Sequence, residues 1–142
     1  MVRAPAATRH LSLLAFDFGT RRIGVAVGNT LTGGARPLGP VTASGDAAFE
    51  AIGRLIAEWR PDALVVGIPT HPDGAPHENT RRAQRFARRL EGRFHLPVHE
   101  VDERWSTTEA KAMGARDLDA ASAAILLEQF MGEAARAEGE GR

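Results

Sequence analysis

The stretch that most constrains this chain is Leu11 to Asn29, LSLLAFDFGTRRIGVAVGN, in which an apolar run stops at a single acid, turns, and becomes a second apolar run. It predicts a buried strand ending in Asp17, a turn carrying Gly19, and a second strand. In the second run, Ile23 to Val27, bulky residues alternate with Gly24 and Ala26, so one face is almost bare and lets something approach the sheet closely. An acid that follows Leu13, Leu14, Ala15 and Phe16 carries a large desolvation cost unless it binds a cation or several donors. Asp17 therefore reads as a metal ligand, with a turn-capping aspartate as the structural alternative.

At 142 residues the chain is expected to form one domain with a core that needs no staples. The absence of cysteine excludes disulfides, Cys-based zinc or iron–sulfur sites and thiol redox chemistry, and fits a reducing cytoplasm. The apolar run after the lead MVRAPAATRH is too short for a secretory core and ends in an acid, so no export signal is expected. No stretch approaches the roughly 20 apolar residues of a bilayer span, and the expectation is a soluble, cytoplasmic protein without membrane contact. Eighteen basic residues balance 18 acidic ones, which argues against indiscriminate binding to polyanions. Their distribution matters more, because six arginines fall between Arg81 and Arg93, against two acids from Glu78 to Arg93.

Along the chain, Ala35 to Val41 (ARPLGPV) holds two prolines and suits an edge strand. Asp46 is expected to open a helix with Phe49, Ile52, Ile56 and Trp59 at helical spacing and Pro61 at its end. Ala63 to Ile68 (ALVVGI) is a continuous apolar run, the pattern of a strand buried on both faces, and its place after a helix implies a parallel β-α-β unit. The loop THPDGAPH, Thr70 to His77, then lies at the carboxyl end of that strand, where open α/β sheets place ligand sites. Asn79 or Thr80 caps the next helix, whose core stripe is Ala83, Phe86, Ala87 and Leu90. Arg81, Arg82, Arg85, Arg88 and Arg89 lie off that stripe and form either a solvated face or a phosphate-contacting one, since arginine forks match phosphate geometry.

PVHEV, Pro97 to Val101, reads as another strand running into Asp102, Glu103 and Arg104. Ser106 and Glu109 form a capping box for a short helix that stops near Gly114. The last helix runs from Asp119 to Met131, with Asp119 on the inward face shared by Ala123, Leu126 and Phe130, or else acting as its N-cap, worth about 1 kcal/mol. Residues 1–10 read as a flexible lead, 11–131 as the domain, and 132–142 as a fraying tail. There is no internal repeat, P-loop, GxGxxG or HExxH, and the five histidines are scattered.

Three acidic sites stand where elements begin or end: Asp17, the Asp102/Glu103 pair and Asp119. If parallel strands carry them to one end of the sheet they converge, which makes sense chiefly around a divalent cation, and hard oxygen ligands point to magnesium or manganese. Such a cluster suits phosphodiester hydrolysis with no covalent nucleophile. Arg104, beside the acids, either steadies charge on the phosphate or forms a salt bridge to Asp102 or Glu103.

The stretches AFDFGTRRIGVAVGN (15–29), VVGIP with a following DG (65–69, then Asp73 and Gly74), VDERWSTTEA (101–110) and LDAASAAILLEQF (118–130) resemble the YqgF/RuvX family of bacterial ribonuclease H-like proteins, candidate Holliday-junction resolvases and candidate nucleases of pre-16S rRNA. The match spans nearly the whole chain in order. It implies an α/β, ribonuclease H-like fold, a mixed five-stranded sheet with helices on both faces. The family's acids carry over to Asp17, to the DER step at Asp102, Glu103 and Arg104, and to Asp119, so that Asp17, Glu103, Asp119 and Arg104 are the expected catalytic residues. Asp17, Asp102, Glu103 and Asp119 are the expected ligands of Mg2+ or Mn2+, with Glu103 favoured within the DER step. Thr20 and Arg21 join the five arginines as expected nucleic-acid contacts. MGARD stands between Ala112 and Leu118 where many relatives have a longer loop, which reshapes one wall of the site.

The activity implied is endonucleolytic processing of structured RNA at the 5′ end of pre-16S rRNA, by a monomer or weak homodimer. The alternatives are resolution of branched DNA and a catalytically weak RNA-binding module for ribosome assembly. The DFGT turn also looks like that of actin-like ATPases, but those need two such domains and this chain has room for one.

Overall fold

The computed structural model describes residues 11–18, 22–69, 78–102 and 118–140. Strands β1 (Ser12–Phe18) and β2 (Ile23–Asn29) form the expected antiparallel pair, with Asp17 opposite Gly24. Strand β3 (Ala35–Val41) adds antiparallel to β2 and lies at the sheet edge, where Pro37 and Pro40 leave no ladder unsatisfied. Strands β4 (Ala63–Ile68) and β5 (Val98–Asp102) extend the other side in parallel, so the order is β3-β2-β1-β4-β5 and the sheet is mixed. All six residues of β4 are buried, as a continuous apolar run between two covered faces requires.

Helix α1 (Gly45–Trp59) begins after Ser44 and ends at Arg60, whose left-handed backbone (φ 46°) lets its N–H donate to the Ile56 carbonyl at 2.8 Å just before Pro61. Helix α2 (Glu78–Phe94) packs on the same face, and α3 (Leu118–Glu140) on the other. Pleating sorts the two cores. Leu14, Phe16, Ile23, Val25, Leu64 and Val66 meet α1 and α2. Leu13, Ala15, Ala63 and Val65 meet Leu126, Leu127 and Met131 of α3.

What approaches the bare face of β2 is α3. Ala26 packs against Ala123 and Ala124, and a Cβ built on Gly28 would stand 2.7 Å from the Gly34 carbonyl oxygen and 3.0 Å from Leu127 Cδ2. Residues 26 and 28 are small because side chains of α3 and, at Gly28, the backbone of residues 34 and 35 take the space beside them.

Asp62 sets the parallel register. Its N–H donates to the Ser12 carbonyl and its Oδ2 accepts the Ser12 N–H, each at 2.7 Å. With the strand starts pinned in this way, Asp17 falls beside Gly67.

Several boundaries differ from the sequence expectation, among them β5, which spans Val98–Asp102 rather than residues 97–101. Helix α2 is already formed at Glu78, so Asn79 and Thr80 lie within its first turn, and the buried Thr80 hydroxyl donates to the Pro69 carbonyl, tying the helix to the exit of β4. Helix α3 continues past Met131 to Glu140, because Ala134, Ala135 and Ala137 are strong helix formers even without an apolar stripe. The expected loop at 70–77 and short helix at 106–114 lie outside the described residues. No helix among the described residues is long and apolar enough to cross a membrane.

Candidate active site

The parallel strands bring acids to one end of the sheet. Asp17 is in register with Gly67, and Gly67 with Val101, so Asp17, Gly67 and Val101 form one row across β1, β4 and β5. Asp17 and Val101 are two strands apart, about 10 Å. Asp17 alternates with Leu13 and Ala15, which places its half-buried carboxyl on the α3 side.

Asp102, one residue beyond Val101, is exposed and in register with Ile68, a member of the core under α1 and α2. Pleating thus turns Asp102 away from the face that carries Asp17. Glu103 lies outside the described residues, as do Arg104, Thr20 and Arg21.

Helix α3 closes the third side. It runs along β2 with Ala123 at Ala26 and Leu127 at Gly28. Asp119 belongs to the first turn of this helix, four residues or about 6 Å along the axis before Ala123. Among the described side chains no three His, Asp or Glu groups form a metal-binding cluster; those of Glu103 and Asp119 are outside that set. α1 and α2 also begin at this end, after Val41 and beside Pro69, on the opposite face of the sheet.

The five arginines lie across the sheet from Asp17. All five are exposed on α2, whose inner stripe is Ala83, Phe86, Ala87 and Leu90 as expected, and α2 covers the face opposite α3. Arg89 lies over the Phe49 ring, 4.7 Å from its centroid, with Arg93 at 5.0 Å. Arg82, Arg85 and Arg89 line a cavity of about 220 Å³ shared with Arg22, Phe18 and the start of α1, whereas Arg81 and Arg88 do not. Phe18 and Ile23, one row beyond Asp17 and Gly24, put this cavity at the same end of the sheet on its other face.

Residues 11–133 match the family described as RuvX, Holliday junction resolvase. The chain belongs to the RuvX family. A RuvX relative from Polaromonas, named as a candidate pre-16S rRNA nuclease, is 63% identical over 131 residues, covering 89% of this chain and 95% of the relative. Relatives of the same name from Albidiferax ferrireducens and Paraburkholderia phytofirmans are 62% and 59% identical, covering 84% and 88% of this chain and 77% and 90% of their own lengths. The fold is similar to that of T. thermophilus RuvC solved with a Holliday junction substrate, at a TM-score of 0.55 and 16% identity over 90% of this chain and 97% of that one. This likeness supports the ribonuclease H-like class for the mixed sheet of this RuvX chain.

Little in the local pattern marks Phe18 or Arg22 for function, or Asp62 for register. Phe18 carried a faint signal, an aromatic ring placed immediately after the candidate ligand at a strand end. Arg22 carried none, because only the packing of α1 and α2 shows what it faces.

Proposed function

We propose that this RuvX chain is a divalent-metal-dependent endonuclease of the cytoplasm that processes the 5′ end of pre-16S rRNA. The observation that supports the reading is that β1 and β5 run parallel through β4, so that Asp17 and the end of β5, which the DER step follows in sequence, lie at one end of the sheet. The names of relatives at 59–63% identity support the RNA substrate.

Asp17, Glu103 and Asp119 would hold the cation. The donors are hard carboxylate oxygens, and Asp17 is partly withdrawn from water in a row that also contains apolar Val101, which fits Mg2+ or Mn2+. When bound, the cation supplies Lewis acidity toward the phosphate oxygens. Asp17, held in register by the strand on either side, fixes one edge of the site so that the scissile phosphate is oriented before reaction. Arg104 would steady the developing charge on the phosphate.

Replacing Asp17 with Asn tests the assignment. Cleavage of 5′-extended 16S precursor RNA with Mn2+ is expected to disappear while the melting temperature holds or rises, because charge repulsion is relieved. A variant that unfolds with unchanged metal affinity would return Asp17 to a structural role. The family description favours one second reading, resolution of four-way DNA junctions. Two symmetric cuts require a two-fold dimer, so a tight dimer in sedimentation with selective junction cleavage would replace the RNA reading.

A further inference from the structure

The consecutive residues Asp17 and Phe18 face opposite sides of the sheet, and Phe18 opens into a cavity that the phosphodiester chemistry does not use. Its floor is aromatic. Phe86 is 5% exposed and sits at 5.0 Å from Phe18 and 5.8 Å from Phe49 between ring centroids, and Phe18 is the ring of the three that remains half-buried. Its rim is cationic: among the described residues, Arg22, Arg82, Arg85 and Arg89 line it together with the first residues of α1. The nearest acid of that helix turn, Asp46, is engaged by Arg93 at 3.6 Å. At about 220 Å³ the cavity is smaller than the roughly 300–1,000 Å³ of drug-sized pockets and has room for one ring system.

An apolar aromatic floor under four guanidinium groups selects a flat ring attached to an anion. We propose that this cavity receives one unstacked nucleotide of the bound strand, its base against Phe18 and its phosphate among Arg82, Arg85 and Arg22. The inference rests on the chain being a nucleic-acid enzyme, and it adds a base-holding subsite on the face opposite Asp17. A strand whose phosphate lies at Asp17 reaches the cavity by passing around the end of the sheet, since Phe18 and Ile23 are the next row after Asp17 and Gly24. Stacking on a protein ring tolerates every base, so the subsite favours single-stranded or frayed segments over paired ones without reading sequence.

The test uses the full chain in EDTA, where no cleavage is needed, and a short single-stranded RNA carrying 2-aminopurine at one position at a time. One position is expected to show strong quenching on binding. Phe18→Leu is expected to remove that quenching and weaken binding roughly tenfold while the salt dependence stays as it was. Arg85→Gln, on an exposed position that leaves the fold undisturbed, is expected to reduce the slope of log affinity against log salt by about 0.7, the value of one single-strand phosphate contact. The proposal is overturned if no position is quenched, if Phe18→Leu retains the quenching in a chain that melts as the parent does, or if AMP alone saturates the cavity and the oligonucleotide fails to displace it. Because binding is read without metal, a catalytically inactive chain with normal quenching would refute the nuclease reading and leave the subsite standing.

Discussion

Replacing Gly28 with Ala adds one methyl where α3 and β3 converge, and the structure states what it meets. The new Cβ would lie 2.7 Å from the Gly34 carbonyl oxygen, closer than real Cβ contacts come, and 3.0 Å from Leu127 Cδ2. Leu127 is fully buried against β1 and β4 and the Gly34 oxygen belongs to the backbone, so neither neighbour yields freely. Relief requires α3 or the β3 edge to move by tenths of an ångström, an overpacking cost of about 1–3 kcal/mol. Loss of glycine's freedom in the unfolded chain returns roughly 0.4–1 kcal/mol, leaving a net destabilisation of about 1–2 kcal/mol. For a chain of 142 residues, unfolding entropy of roughly 0.3 kcal/mol/K turns this into a fall of about 3–7 °C in melting temperature. Gly92 is the control: it lies in α2 with nothing within 4 Å of its added Cβ, so Gly92→Ala is expected to raise the melting temperature by about 2–3 °C through helix propensity alone. Circular dichroism melts of the two variants and the parent decide the matter. A Gly28→Ala chain melting at or above the parent would refute the seating of α3 directly on the bare face of β2.

Asp62→Ala is expected to cost about 1 kcal/mol in urea unfolding and to increase amide exchange at Ser12, since it removes the carboxylate that accepts the Ser12 N–H; unchanged exchange would show that the backbone pair alone pins the register. Leu126→Ala, at a fully buried position between α3 and the sheet, is expected to cost about 2–5 kcal/mol by the same unfolding measurement, and less than 1 kcal/mol would mean that the α3 face is loosely packed. Glu103→Gln is expected to weaken Mn2+ binding by tenfold or more in calorimetry while Asp102→Asn changes it little, because Asp102 is turned to the other face; the reverse order would place the ligand on Asp102.

Periodicity is a local property, and what depends on it was readable along the chain. The alternation from Ile23 to Val27, the prolines of Ala35 to Val41, the unbroken ALVVGI run and the apolar stripe of α2 each matched the element they became, because each encodes which faces of its own backbone meet water. The ends of α2 and α3 were less legible, since alanine-rich and polar turns extend a helix without leaving an apolar mark. The acids could be singled out as residues ending apolar runs, but their facing could not. Whether Asp17 and Asp102 share a side depends on the stagger of β1, β4 and β5, which Asp62 helps set through contacts 50 residues apart in the chain. The arginines of α2 were plainly off its core stripe, yet that stripe says only that the helix covers a sheet, not which face. Small residues on one side of β2 admitted α3 and bulky ones on the other required α1 and α2, so the placement of Asp17 and the arginines on opposite faces was decided by packing volume across the sheet.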